Sequence, residues 1–313
     1  MDAIKENIDL RPYTYFKIGG RARFFVDAKA PDDVAAAIAF AQKQNIPFFI
    51  LGAASNVLVS DAGFSGLVIR MLLRDIKREG TVLIAGAGVP SAVLVARALQ
   101  EKLSGMEWAI GIPGTVGGSI RGNAGCFGGE IKDTLVSVKI LNTESGLIEK
   151  HDNAFCNFTY RESIFKKNQA LIILEGAFQF REGDAEASQK MVRYYTSLRS
   201  SAQDIGSASA GCVFKNVRWP EDEKRRERLL YIVPHLAEYK DRSTIPAGFL
   251  IDNIGLKGRA VGRVSVSKKH ANYLVNDGGA TAEEVIMLIG LIKERVHRKY
   301  DLHLEEEIQY VGF

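Results

Sequence analysis

Residues 111–129 carry glycine at eight of nineteen positions: 111, 114, 117, 118, 122, 125, 128 and 129. Glycine loses more conformational freedom on ordering than any other residue, so such a segment is costly to fold. It makes sense where backbone must approach a ligand closely, where amides converge on a diphosphate, or in a bulged, tightly turned core loop. No lysine follows the glycines, so the segment is not a P-loop.

A second loop narrows the choice. Gly52, Ala53, Ala54, Ser55 and Asn56 directly follow the apolar run 48–51, offering small side chains, one hydroxyl and one carboxamide. Two amide-rich loops, one in each of two α/β units, can grip one extended dinucleotide. A third glycine-bearing turn, Gly86-Ala87-Gly88, follows the β-branched run 81–85. Ser91 stands where a dinucleotide fingerprint needs its third glycine and Pro90 intrudes, so it reads as a tight strand-to-helix turn.

Periodicity supplies the surrounding elements. Helices are expected over 31–42, with Asp32 and Asp33 in the first turn, from Ser91 to Leu103, and over 187–200. A last helix runs from Thr281 to about Lys299. Thr281 and Glu284 form a capping box there, and Val285, Leu288, Ile289, Ile292 and Val296 form one apolar stripe. Strands are expected at 48–51, 57–59, 67–71 and 171–174, and where Val136, Val138 and Ile140 alternate with polar residues. The nearly all-charged run 221–228, inside the segment 219–244, reads as a solvated helix face.

At 313 residues the chain has room for two or three domains. With 46% hydrophobic and 25% charged residues it is an ordinary globular composition. A net charge of +4 gives no reason to expect a nucleic-acid partner. No apolar run reaches the length of a membrane helix, and residues 1–11 do not form a secretory h-region. Cys126, Cys156 and Cys212 lack CxxC spacing, and an odd count reads as reduced thiols in a cytoplasmic protein. Five histidines without paired spacing to cysteine or carboxylate offer no metal ligand set.

Read together, eight motifs in order resemble the UDP-N-acetylenolpyruvoylglucosamine reductase family over residues 14–312. They are Thr14-Tyr15-Phe16-Lys17-Ile18-Gly19-Gly20, Ser55-Asn56-Val57-Leu58-Val59, and Gly111 to Gly118 with Asn123-Ala124-Gly125. Tyr160-Arg161-Glu162-Ser163, residues 211–216, Gly255-Leu256-Lys257-Gly258, His270-Ala271-Asn272 and Leu304-Glu305-Glu306-Glu307 complete the set.

The resemblance implies an α+β fold: a two-subdomain FAD-binding domain of the vanillyl-alcohol-oxidase type, residues 1–72 and 73–184, followed by an α+β substrate domain over 185–313. It implies that NADPH reduces FAD, and that the reduced flavin delivers hydride to the enolpyruvyl ether of a UDP-sugar in peptidoglycan precursor synthesis. FAD is then expected against Gly52, Ala53, Ala54, Ser55, Asn56, Ile112, Pro113, Gly114, Thr115, Gly118, Ser119, Asn123, Ala124 and Gly125. Tyr160, Lys215, Asn216 and His270 are expected at the substrate, His270 being as well read as a packed core histidine. The partners implied are this UDP-sugar and NADPH, without nucleic acid or membrane, and a monomer is favoured.

Three residues carry the implied chemistry. Arg161 matches the family's catalytic arginine, whose fork can stabilise a developing enolate. Glu307 matches its C-terminal acid, although Glu305 and Glu306 adjoin it. Cys212 stands where many members have the serine that donates a proton. A thiol is the stronger acid, yet mostly protonated near pH 7. Further departures are Ala53 and Ala54 for glycines, Asp204 and Val217 for prolines, Arg263 and Val264 for small residues, and Gln309 for a basic one. The other readings are a flavin oxidase or dehydrogenase of the same fold, and a nucleotide-binding module without catalysis.

Overall fold

The aromatic run Phe24-Phe25 lies in the strand Arg21–Ala28, where Ala22, Phe25, Val26 and Ala28 are buried. This strand is second in a four-stranded sheet ordered Lys5–Asp9, Arg21–Ala28, Phe64–Met71, Phe48–Leu51. The first pairing is antiparallel and the other two parallel. Parallel pairing needs a crossover, and helix α1, Pro31–Lys43, supplies it. Its buried Val34, Ala37, Ile38 and Ala41 recur at three- and four-residue spacing and join Leu67 and Ile69 in one core. Asp33 fixes the start of α1 by accepting from the amides of Lys29 and Ala30. Asp27 and Arg70, register partners on neighbouring strands, form a two-pronged ion pair.

The computed structural model describes residues 3–202, 204 and 206–313. They divide into two units, the first formed by Met1–Tyr13, Arg21–Ser55 and Gly63–Ser201. Besides the sheet above it holds a five-stranded antiparallel one, ordered Ile148–Asp152, Leu135–Asn142, Leu171–Gln179, Val82–Gly86, Ile76–Glu79. Helices α2 (Ser91–Gln100), α3 (Val116–Arg121), α4 (Ile164–Lys167) and α5 (Ala185–Ala202) complete it.

The turn at residues 86–88 spends its amides on the protein. Gly86, Ala87 and Gly88 donate to Asp75, Leu174 and Leu73. It therefore has no N–H left for a phosphate, as the tight-turn reading expects. The Ala87 carbonyl and that of the following Val89 seat the glycine-rich segment: Val116 donates to Val89 at 2.8 Å and Gly117 to Ala87 at 2.9 Å.

The second unit gathers Thr14–Gly20, Asn56–Ala62 and Ala202–Phe313. The strand Val57–Val59 runs parallel to Gln309–Val311, while Ala260–Val261, Val264–Val266 and Leu274–Asn276 form an antiparallel sheet. Helices α6 (Glu223–Ile232), α7 (Ala247–Asn253) and α8 (Ala282–Tyr300) surround a core that includes Phe16, Ile18 and Leu58. The capping box on α8 forms as expected, with Thr281 Oγ1 accepting from Glu284 and the Glu284 carboxylate accepting from Thr281. The charged run folds as α6, capped by Asp222, with Leu229 its one fully covered residue. Among the described residues no helix is long and apolar enough to cross a membrane.

Candidate active site

In the first unit the two loops meet. Ser55 Oγ donates to the Pro113 carbonyl at 2.7 Å, and a Cβ placed on Gly52 would stand 2.7 Å from Thr115 Oγ1. Gly114, at φ +152°, lies open toward the hydroxyls of Ser55 and Ser119. Thr115 caps α3 by accepting from the Gly118 amide. Among the described residues the N–H groups of Ala53, Ala54, Ser55, Gly114 and Thr115 donate to no backbone carbonyl. With Ala54 in the left-handed region at φ +54°, these amides are donors of the kind that suit an anionic diphosphate. The same observations fit the expected FAD: unclaimed donors, small side chains, and a glycine where any Cβ would press on Thr115.

Other expected flavin residues are spent on the loop itself. Asn123 is fully buried, its Nδ2 donating to Thr159 and to Glu130 while its Oδ1 accepts from Lys132. Ser119 is buried against Ser91, their hydroxyls 3.0 Å apart. Asn123 thus braces the segment, and its carboxamide has little capacity left for a ligand. Ala124 and Gly125 are half-buried; the Ala124 amide donates to Ser119, and Gly125 leads into a short hairpin paired with Glu130. Ile112 donates its amide to Ala109 and leaves its half-buried side chain against the core.

Tyr160 and Arg161 occupy the tip of a turn closed by reciprocal hydrogen bonds between Thr159 and Glu162. Arg161 adopts φ +57°, a left-handed conformation that is costly for any residue with a Cβ. Its Nη2 donates to the Gly125 carbonyl at 2.8 Å, and its guanidinium carbon lies 5.6 Å from the Tyr160 ring centroid. Lys166 Nζ holds the Arg161 carbonyl.

One neighbour escaped the sequence reading. Arg199, in the last turn of α5, is 6% exposed and donates to Cys126 Sγ at 2.7 Å. Burial pushes the Cys126 thiol up, while the Arg199 and Arg161 cations oppose that shift. The only sequence signal was an arginine in the last turn of a helix that also carries Lys190 and Arg193, which does not distinguish it from a solvated one.

In the second unit, Cys212 and its neighbours are held between two segments. On one side Cys212 bridges Tyr273, Val213 donates to the Asn272 carbonyl, and the buried Asn272 carboxamide brackets the Phe214 peptide. On the other side Phe214 bridges Glu306, Lys215 donates its amide to Glu305, and Glu307 donates its amide to Val213 at 2.7 Å. Thiol and acid therefore sit on hydrogen-bonded neighbouring segments.

The three adjacent acids differ in their surroundings. Exposed Glu305 pairs with Lys215 Nζ at 2.6 Å, Glu306 pairs with Lys293 at 2.9 Å, and Glu307 is half-buried. Asn216 accepts from the Ala247 amide at the start of α7. His270 packs on Tyr273 with ring centroids 4.6 Å apart, and its Nδ1 accepts from the Asn272 amide. Burial holds its pKa below the ordinary imidazole value.

Comparison with known proteins matches two families to successive parts of the chain. Residues 22–151 match the family described as FAD binding domain, and residues 203–311 match UDP-N-acetylenolpyruvoylglucosamine reductase, C-terminal domain. The chain is 35% identical to the UDP-N-acetylenolpyruvoylglucosamine reductase of Listeria innocua, covering 99% of this chain and 95% of that one. It is 35% identical to the same-named protein of Latilactobacillus sakei, with 99% and 93% covered. The crystal structure of UDP-N-acetylenolpyruvylglucosamine reductase from Thermus caldophilus superposes with a TM-score of 0.78 at 28% identity, covering 99% of this chain and all of the other.

Proposed function

The chain belongs to the UDP-N-acetylenolpyruvoylglucosamine reductase family, and from that premise we propose that it reduces the enolpyruvyl ether of UDP-N-acetylglucosamine to the lactyl ether of UDP-N-acetylmuramate, a peptidoglycan precursor. It is an FAD-dependent oxidoreductase with NADPH as reductant. When bound, the flavin supplies hydride to the terminal enolpyruvyl carbon. The remaining work falls to side chains. Arg161 stabilises negative charge developing on the substrate carboxylate and its adjacent carbon. Cys212 donates the proton that quenches that carbon, and Glu307 polarises the same group or orients the donor.

The observation that supports this assignment is the hydrogen bond from the Glu307 amide to the carbonyl of Val213, the residue after Cys212. We assign the flavin diphosphate to the amides of residues 53–55, 114 and 115, and the substrate's polar groups to Tyr160, Lys215, Asn216 and His270. We further propose that the flavin-binding part divides between residues 72 and 73. The enzyme acts as a monomer in the cytoplasm, where NADPH and UDP-sugars are both charged, soluble reactants.

The test is anaerobic. The protein is bleached with one equivalent of NADPH and mixed with the enolpyruvyl UDP-sugar, and absorbance near the flavin maximum is followed. Rapid reoxidation with formation of the lactyl product is expected. A reduced flavin that stays reduced would sink the substrate assignment and favour the oxidase or dehydrogenase reading.

A further inference from the structure

Asn56 ends the loop at residues 52–56, where the sequence places a flavin contact, but its carboxamide is turned to the C-terminal tail. Nδ2 donates to the Glu307 main-chain carbonyl at 3.1 Å. The Asn56 carbonyl accepts from the Gln309 amide at 3.0 Å, and the parallel pairing of Val57–Val59 with Gln309–Val311 follows at once. The other side of the Glu307 residue is equally fixed, since its amide donates to Val213. The Glu307 main chain is thus held through its N–H by Val213, next to Cys212, and through its C=O by Asn56.

We propose that Asn56 is a positioning residue for Glu307: its side-chain N–H fixes the backbone from which the carboxylate reaches the reaction. The inference rests on the reading of Glu307 as the acid. Asparagine suits the task by its chemistry. Its amide reaches across one strand spacing to donate to a carbonyl, whereas aspartate of the same shape would set an acceptor against an acceptor. Alanine would leave the Glu307 carbonyl without this donor. A misplacement on the 1 Å scale is enough to slow a reaction about 100-fold.

The two half-reactions of the holoenzyme separate positioning from flavin binding. Asn56→Ala and the near-isosteric Asn56→Asp are compared with wild type, alone and combined with Glu307→Gln. Both single variants should retain FAD, with flavin reduction by NADPH within about twofold of wild type. Flavin reoxidation by the enolpyruvyl substrate should slow roughly 10- to 100-fold, expressed in kcat rather than KM. In the Glu307→Gln background, adding Asn56→Ala should cost nothing more.

FAD loss with normal reoxidation per bound flavin would overturn the proposal, because Asn56 would then be a flavin ligand. A full multiplicative effect on top of Glu307→Gln would also overturn it while leaving Glu307 in place. Unimpaired reoxidation in Glu307→Gln alone would overturn both. Should Asn56→Ala fail to fold, Asn56→Asp carries the same comparison.

Discussion

Gly52→Ala is the perturbation whose size follows most directly from the structure. The new Cβ would lie 2.7 Å from Thr115 Oγ1, well inside van der Waals contact. Thr115 is 6% exposed and accepts from the Gly118 amide, so its hydroxyl has little room to retreat without losing the cap. Losing an N-cap costs about 1 kcal/mol. Overpacking a filled site adds about 1–3 kcal/mol. Together that is about 2–4 kcal/mol, and each kcal/mol moves Tm by roughly 2–4 °C for a unit of this size.

The same displacement moves the amides of Gly114 and Thr115, so FAD affinity should fall with stability. Gly118→Ala is the stability control: its Cβ would sit 3.7 Å from Thr115 Oγ1, an ordinary contact, on a helical residue. Alanine is favoured there by about 0.5–1 kcal/mol. Calorimetry of the apo forms, with fluorescence titration of FAD, reads both effects. A Gly52→Ala protein matching Gly118→Ala in Tm, and wild type in FAD affinity, would refute the reasoning.

Three further outcomes are expected. Cys212→Ser should keep substantial turnover, while Cys212→Ala should stop product formation but not flavin reduction by NADPH; full turnover by the alanine variant would remove Cys212 from the mechanism. Burial pushes the Cys156 thiol up to about 12, so iodoacetamide at pH 8 should spare it until the protein is unfolded, as peptide mass spectrometry would show. Burial depresses the folded pKa of His270, so the unfolded chain takes up the proton first. That contribution is intact above about pH 6.5 and is lost as pH falls toward the depressed folded value. Urea midpoints of wild type should therefore drop more steeply below that pH than those of His270→Gln; parallel profiles would count against it.

Local signals read well and long-range ones poorly. The stripe from Val285 to Val296 and the Thr281 capping box specify α8 because every contributor lies within a few residues. The turn at residues 86–88 was separable from a dinucleotide fingerprint because Pro90 and Ser91 are local too. No local pattern shows that Val57–Val59 pairs with a strand some 250 residues later, or that Asn123 closes hydrogen bonds with Glu130, Lys132 and, 36 residues away, Thr159. The run Glu305-Glu306-Glu307 is uniform as sequence, and nothing local shows that Glu305 pairs with Lys215 and Glu306 with Lys293. Arg199 is invisible for the same reason: its hydrogen-bond partner, Cys126, is 73 residues away.

The membership of Thr14–Gly20 and Asn56–Ala62 in the second unit has a consequence for how the chain is made. Phe16, Ile18 and Leu58 belong to that unit's core, and Val57–Val59 needs Gln309–Val311 as its partner. During synthesis these early segments leave the ribosome long before their partners exist, so they must wait, solvated or chaperoned, until the last strand emerges. A fragment cut at residue 202 would lack both the early core residues and the partner of its final strand. Such a fragment should aggregate where the full chain folds, and adding a peptide spanning residues 56–62 should partly rescue it.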